Sequence, residues 1–247
     1  MLHAEVTGKG GPVVLVHGFT QSGGAWARVA EGLSRRHTVI TVDAPGHGGS
    51  SGVAADLARG ADLMVESAGQ PAAWVGYSMG GRYALHAALR HPRAVTRLVL
   101  VSATAGIDDP VERAARRRDD AALAARVESE GVEDFLRWWL DRPIFSTLPP
   151  DAAALDSRIG NTAVGLAASL RLAGTGTQEP LWTAIGALEM PVLVVAGERD
   201  PTYLAHAHRM VGCIGGNATL AIVAGAGHSC HLEQPEAFLG AVEPFLG

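Results

Sequence analysis

Lysine is nearly missing from this 247-residue chain: Lys9 stands alone against 19 arginines. Alanine is abundant, and the two biases together match a GC-rich genome, so an arginine carries less functional weight here than its chemistry alone suggests. Cysteine is as scarce. Cys213 and Cys230 make no disulfide framework and fit a reducing compartment. No apolar run approaches the ~20 residues that span a bilayer, and Met1-Leu2-His3-Ala4-Glu5 lacks the basic segment and apolar stretch of an export signal. Basic charge is outnumbered, 20 Lys and Arg against 25 Asp and Glu, and the net charge of -5 offers no footprint for nucleic acid. Internal repeats, coiled-coil heptads and low-complexity linkers are absent as well. Disulfide scaffolds, membrane-spanning proteins and nucleic-acid binders are thereby excluded. What is left is a soluble, cytoplasmic protein acting on a small molecule, monomeric by expectation. The length lies within single-domain range and allows roughly 70–75% of the unfolded surface to be buried, so stability requires neither metal nor disulfide.

What is present is an alternation. Apolar, β-branched runs near 13–16, 38–42, 72–75, 97–101, 191–196 and 219–223 read as strands, and amphipathic segments near 24–34, 54–67, 79–90, 202–213 and 235–245 read as helices. Such alternation predicts an α/β fold with a mostly parallel central sheet covered by helices on both faces. Asp43-Ala44-Pro45-Gly46-His47-Gly48-Gly49-Ser50 is a loop by its glycine and proline content. Residues 105–187 break the rhythm with charged and alanine-rich helical stretches and no convincing strand.

The chemistry is concentrated at Trp74-Val75-Gly76-Tyr77-Ser78-Met79-Gly80-Gly81-Arg82, where an apolar run meets a helix through Gly-x-Ser-x-Gly, the pattern of a nucleophile elbow. With 31 glycines in the chain the bare pattern is weak, and its context decides. Pro12 to Val16 runs into His17-Gly18-Phe19, which places the Phe19 N–H for an oxyanion hole with the Met79 N–H as the second donor. Pro191 to Ala196 ends in Gly197-Glu198-Arg199-Asp200, and Leu220 to Val223 leads through Gly225-Ala226-Gly227 to His228. Serine, acid and histidine then follow in the chain order of an α/β-hydrolase, each at the carboxyl end of a strand. The chain reads as one domain over 1–247, with 105–187 as a helical lid inserted above Ser78 that determines what fits beneath it.

Rivals exist for each position. His231 competes with His228, which is favoured because the glycine-rich turn precedes it; Asp108 and Asp109 compete with Asp200, which follows its strand more closely. His17 and His47 read as loop braces rather than proton carriers.

The chain also resembles one family. Gly76-Tyr77-Ser78-Met79-Gly80-Gly81-Arg82, His17-Gly18-Phe19-Thr20, the 43–48 loop and Gly197-Glu198-Arg199-Asp200 are similar to the 2-succinyl-6-hydroxy-2,4-cyclohexadiene-1-carboxylate synthases of menaquinone biosynthesis. So are Ala114-Ala115-Arg116, Trp139-Leu140-Asp141-Arg142-Pro143-Ile144-Phe145, Arg158 ahead of Asn161 and Gly165 to Leu170, and Gly174 to Trp182. The core motifs are shared by many hydrolases; the lid motifs are the specific part.

The resemblance implies a lyase that eliminates pyruvate from a cyclohexene bearing a succinyl side chain and an enolpyruvyl ether, without metal or organic cofactor. Ser78 then acts as a base, relayed by His228 and Asp200, and Phe19 and Met79 stabilise charge on the succinyl carbonyl oxygen. It further implies Tyr77 and Trp139 as pocket walls and Arg82, Arg116 and Arg158 as partners of a small polycarboxylate, since a guanidinium fork grips a carboxylate with two parallel bonds. Arg82 lies one helical turn past Ser78 on the same face. Arg116 sits in the run Arg116-Arg117-Arg118, which a solvated helix face would also explain. One departure stands out: family members often carry lysine and phenylalanine shortly after the acid, where this chain has Thr202 and Tyr203. The residues by themselves leave two other readings open, a serine carboxylesterase or carbon–carbon bond hydrolase with Ser78 as nucleophile and a non-catalytic small-ligand receptor.

Overall fold

The apolar runs assemble into a seven-stranded sheet in the computed structural model, which describes residues 1–153 and 155–247, Asp156 by its backbone alone. The strands are β1 (Ala4–Gly8), β2 (Gly11–Val16), β3 (His37–Val42), β4 (Ala72–Tyr77), β5 (Val95–Val101), β6 (Val192–Gly197) and β7 (Ala218–Val223), in the spatial order β1-β3-β2-β4-β5-β6-β7. All pairs are parallel except β1 with β3, which run antiparallel with Ala4 opposite Val42. Every residue of β4 and β6 is buried, as expected for parallel strands covered on both faces. β1 is not among the expected strands. Its five residues carry one large apolar side chain, Val6, and that is 62% exposed, so no burial pattern marks it; pairing at the sheet edge makes it a strand.

Among the described residues ten α-helices accompany the sheet: α1 (Ala27–Leu33), α2 (Leu57–Ala68), α3 (Met79–Arg90), α4 (Pro110–Glu130), α5 (Val132–Leu140), α6 (Leu155–Ile159), α7 (Ala163–Ala173), α8 (Pro201–Ile214), α9 (Cys230–Glu233) and α10 (Pro235–Leu246). One sheet face packs Trp74, Leu98 and Leu100 against Met64 of α2, Leu85 of α3 and Met210 of α8. The other packs Val75 and Val99 against Leu33 of α1 and Phe238 and Val242 of α10. The expected helix at 24–34 is split, because Gly23–Trp26 closes as a 3₁₀ turn before α1 begins.

Helices α4 to α7 all lie between β5 and β6, and no described residue from 105 to 187 is in a strand. Side-chain caps start two of them: Asp109 Oδ1 accepts from Val111 N and Glu112 N at 2.7 and 2.9 Å ahead of Pro110, and Thr162 Oγ1 accepts from Gly165 N at 3.1 Å. The segment has a core of its own around Ala124, Val127, Phe135, Leu166 and Leu170. It settles on the 43–50 loop so closely that a Cβ on Gly46 would come within 2.3 Å of the Gly165 carbonyl oxygen.

Candidate active site

Ser78 occupies the single residue between β4 and α3 and has φ +51° and ψ −109°, a conformation costly for any side chain. The flanking glycines allow it. A Cβ on Gly76 would lie 2.4 Å from Gly80 O, and one on Gly80 would lie 2.2 Å from Val16 O, so only bare backbone lets the helix cross the strand ends. The hydroxyl is thereby turned out of the sheet. His228 Nε2 stands 3.3 Å from Ser78 Oγ, and His228 Nδ1 stands 2.7 Å from Asp200 Oδ2. A carboxylate only accepts, so Nδ1 carries the imidazole proton and Nε2 is left to accept from Ser78. The other Asp200 oxygen accepts from Tyr203 N at 3.1 Å, which ties the carboxylate to the start of α8. His228 and Asp200 are both buried.

The rival residues are placed elsewhere. Asp109 caps α4 and Asp108 is ion-paired to Arg209. His231 stacks on Trp26 and Tyr77 with centroids 4.3 and 4.4 Å away; burial pushes its pKa down to about 3, and neither ring nitrogen has a partner among the described residues. His17 Nε2 accepts from Ala44 N at 3.0 Å and His47 Nε2 accepts from Thr20 N at 3.2 Å. Burial lowers the pKa of both, that of His47 to about 3, which keeps the rings neutral and able to accept.

A cavity of about 430 Å³ opens over Ser78 beneath α4, α5 and α7. Phe19, Tyr77, Ser78, Met79, Arg82, Arg116, Trp139, Arg158 and His228 line it, and Asp200 stands behind His228. The Met79 N–H is the first of α3, so it has no intrahelical acceptor and lies at the positive end of the helix dipole, and Phe19 and Met79 both line the cavity. The Tyr77 hydroxyl is engaged with Ser229 Oγ at 2.8 Å, which leaves the ring as wall. Trp139 Nε1 is buried without a partner among the described residues.

The three expected arginines differ in electrostatic state. Arg82, 7% exposed, gives one bond to Ala173 O at 2.7 Å, and burial lowers its pKa. Arg158, 2% exposed, donates to Ala153 O at 2.7 Å and Thr20 Oγ1 at 2.5 Å, and burial takes its pKa down to about 10. Neither has a carboxylate in ion-pair reach among the described residues. Arg116 does: its Nε meets Asp120 Oδ1 at 2.8 Å, and although burial opposes the charge, Asp120 outweighs it and holds the pKa up. Arg142, Phe145 and Tyr203 also line the cavity and were not singled out from sequence. Arg142 lies 5.2 Å over the Trp139 ring, and its cues were its place in the Trp139–Phe145 lid motif and its position three residues past that tryptophan. Thr202 is exposed and outside the cavity, so the departure from the family's lysine falls away from the lining.

Among the described residues no cluster of three or more His, Cys, Asp or Glu could hold a metal ion, and no helix is long and apolar enough to cross a membrane. The model of the alpha/beta hydrolase family matches residues 13–241. A Salmonella agona (strain SL483) 2-succinyl-6-hydroxy-2,4-cyclohexadiene-1-carboxylate synthase is 31% identical over 259 aligned positions that take in all of this chain and 99% of the relative. A Bacillus subtilis (strain 168) chain that carries that name provisionally is 34% identical over 95% of this chain and 89% of its own. Among solved structures, MenH from S. aureus superposes with a TM-score of 0.93 at 27% identity, covering all of this chain and 98% of its own. A thermophilic esterase from Thermogutta terrifontis does so at 0.86, also with 27% identity, covering 99% and 92%. The chain therefore belongs to the alpha/beta hydrolase family and, within it, to the 2-succinyl-6-hydroxy-2,4-cyclohexadiene-1-carboxylate synthases.

Proposed function

We propose that this chain eliminates pyruvate from 2-succinyl-5-enolpyruvyl-6-hydroxy-3-cyclohexene-1-carboxylate, giving 2-succinyl-6-hydroxy-2,4-cyclohexadiene-1-carboxylate. The substrate carries three carboxylates, and one observation carries its assignment: two guanidinium groups, Arg82 and Arg158, are more than nine-tenths buried beside Ser78 with no carboxylate partner among the described residues. A neutral ester gives no reason to bury them. Arg142 adds a third guanidinium with no ion-pair partner among the described residues, and Trp139 Nε1 a donor likewise without a partner among them. The Arg116–Asp120 pair adds almost no net charge.

The reaction starts when His228 Nε2 accepts the Ser78 proton and Ser78 Oγ removes a ring proton. Charge moves onto the succinyl carbonyl oxygen, where the Phe19 and Met79 N–H groups hold it, each worth roughly 3–4 kcal/mol by analogy with single oxyanion donors. The enolate then collapses, the ring carbon–oxygen bond breaks, and the leaving group departs as the enolate of pyruvate, which takes the proton held by His228 and tautomerises to pyruvate. Protons balance within the triad, and no water is consumed.

Incubation with the enolpyruvyl substrate and, in parallel, with aryl esters tests this reading. Fast pyruvate release with no covalent Ser78 adduct after rapid quenching and mass spectrometry is expected. A kinetically competent acyl-Ser78 species formed from the enolpyruvyl substrate would overturn the base role in favour of hydrolysis.

A further inference from the structure

Thr20 follows Phe19, the proposed oxyanion donor, and its backbone sits at φ +69°, which a β-branched residue adopts only when its surroundings impose it. Three residues from two segments impose it here. His47 accepts from Thr20 N at 3.2 Å, Arg158 donates to Thr20 Oγ1 at 2.5 Å, and Asn161 Nδ2 donates to Thr20 O at 2.8 Å. Every polar atom of this residue is thus held, two of the three from the helical segment between β5 and β6.

Asn161 is the hub of that grip. It is buried, stands outside the cavity lining, and uses its whole amide: Oδ1 accepts from Gly48 N at 2.8 Å while Nδ2 also donates to Arg158 O at 2.9 Å. Among the described residues only Asn161 bonds the Thr20 carbonyl, since the other partners hold the amide and the hydroxyl. Loss of the Asn161 bond would leave the positive φ of Thr20, next to Phe19, held only through its amide and hydroxyl.

We propose that Asn161 is a positioning residue for the reaction: by holding the Thr20 carbonyl it aims the Phe19 N–H at the oxyanion, so the docked helical segment completes the oxyanion hole as well as walling the cavity. The inference rests on the reading of Phe19 as an oxyanion donor. A donor displaced by about 1 Å forfeits on the order of 10²-fold in rate. Since Asn161 touches no substrate, the loss belongs in kcat.

Two variants separate this role from a purely structural one. Asn161→Ala is expected to lower kcat about 10- to 100-fold for pyruvate release, with KM within about twofold of the parent. Asn161→Asp keeps the acceptor for Gly48 N but loses the donor to Thr20 O, so its kcat should fall as far; it also carries the test if the alanine variant fails to fold. If Asn161→Asp retains parental kcat, the residue only ties down the 43–50 loop and the inference is overturned. It is equally overturned if the whole loss lies in KM. Both variants are also assayed with p-nitrophenyl acetate, which draws on the same oxyanion hole. An unmodified chain that releases no pyruvate refutes the proposed function, whereas variants as fast as the parent on either substrate refute the role of Asn161.

Discussion

Replacing Arg158 by methionine should damage catalysis while leaving the free protein about as stable as before. In the folded chain this guanidinium is 2% exposed and lacks a counter-charge among the described residues, and burial takes its pKa from the ordinary guanidinium value down to about 10. At about 1.4 kcal/mol per unit, holding the charge there costs about 3 kcal/mol relative to the unfolded chain. Its bonds to Ala153 O and Thr20 Oγ1 return a similar amount, about 1.5 kcal/mol or somewhat more each for a charged donor. Methionine removes both contributions and fills much of the same volume, so the net change in unfolding free energy should fall within about 1 kcal/mol of zero, a few degrees in Tm at most. The bound state is different. With a substrate carboxylate paired to Arg158, the variant leaves that carboxylate in a partly dry cavity unmatched, and kcat/KM should fall by about 2–5 kcal/mol, roughly 30- to 5,000-fold. Arg158→Lys should recover only part of the loss, since charge returns without the fork. Urea unfolding and pyruvate-release kinetics on the same preparations decide the matter. A variant several kcal/mol less stable but with near-parental kcat/KM would mean that Arg158 is a strut and that the cavity was not built for this polycarboxylate.

Ser78→Ala, His228→Ala and Asp200→Asn should each lower kcat by about 10³-fold or more without additivity in the double variants, measured by pyruvate release. His231→Phe should keep kcat close to parental, because its ring sits against Trp26 and Tyr77 away from Ser78. It should also flatten the acid limb of stability. His47 and His231 stay neutral in the fold down to about pH 3, whereas unfolded histidine takes up a proton near 6.5. Stability is therefore full above pH 6.5 and falls by about 1.4 kcal/mol per pH unit for each ring as the pH drops from 6.5 toward 3. Tm measured from pH 7 to 4.5 should show a shallower slope in His231→Phe, and an unchanged slope would refute the neutral buried ring. Trp139→Phe removes a donor that has no partner among the described residues, so kcat/KM should fall about tenfold with Tm unchanged.

The sequence by itself determined the sheet, the elbow and the chain order of serine, acid and histidine, because these depend on local signals. β-branched runs long enough to be buried on both faces and glycines where a Cβ would strike backbone can be read one segment at a time, as at Gly76 and Gly80. β1 escaped because an edge strand with one exposed valine has no burial pattern, only a partner. Which histidine faces Ser78 was weighted by a glycine turn, yet the separation of His228 from His231 is a matter of two ring positions fixed by Tyr77, Trp26 and Asp200. The charge state of the cavity lay wholly beyond sequence. Arg82, Arg116 and Arg158 look alike as letters, and only packing pairs Arg116 with Asp120 and leaves the other two buried with no carboxylate partner among the described residues. Asn161 likewise becomes more than a polar residue in a helical stretch only when folding brings it to a carbonyl 141 positions away in the chain. Burial and long-range hydrogen bonding are properties of neighbours, and a chain acquires its neighbours by folding.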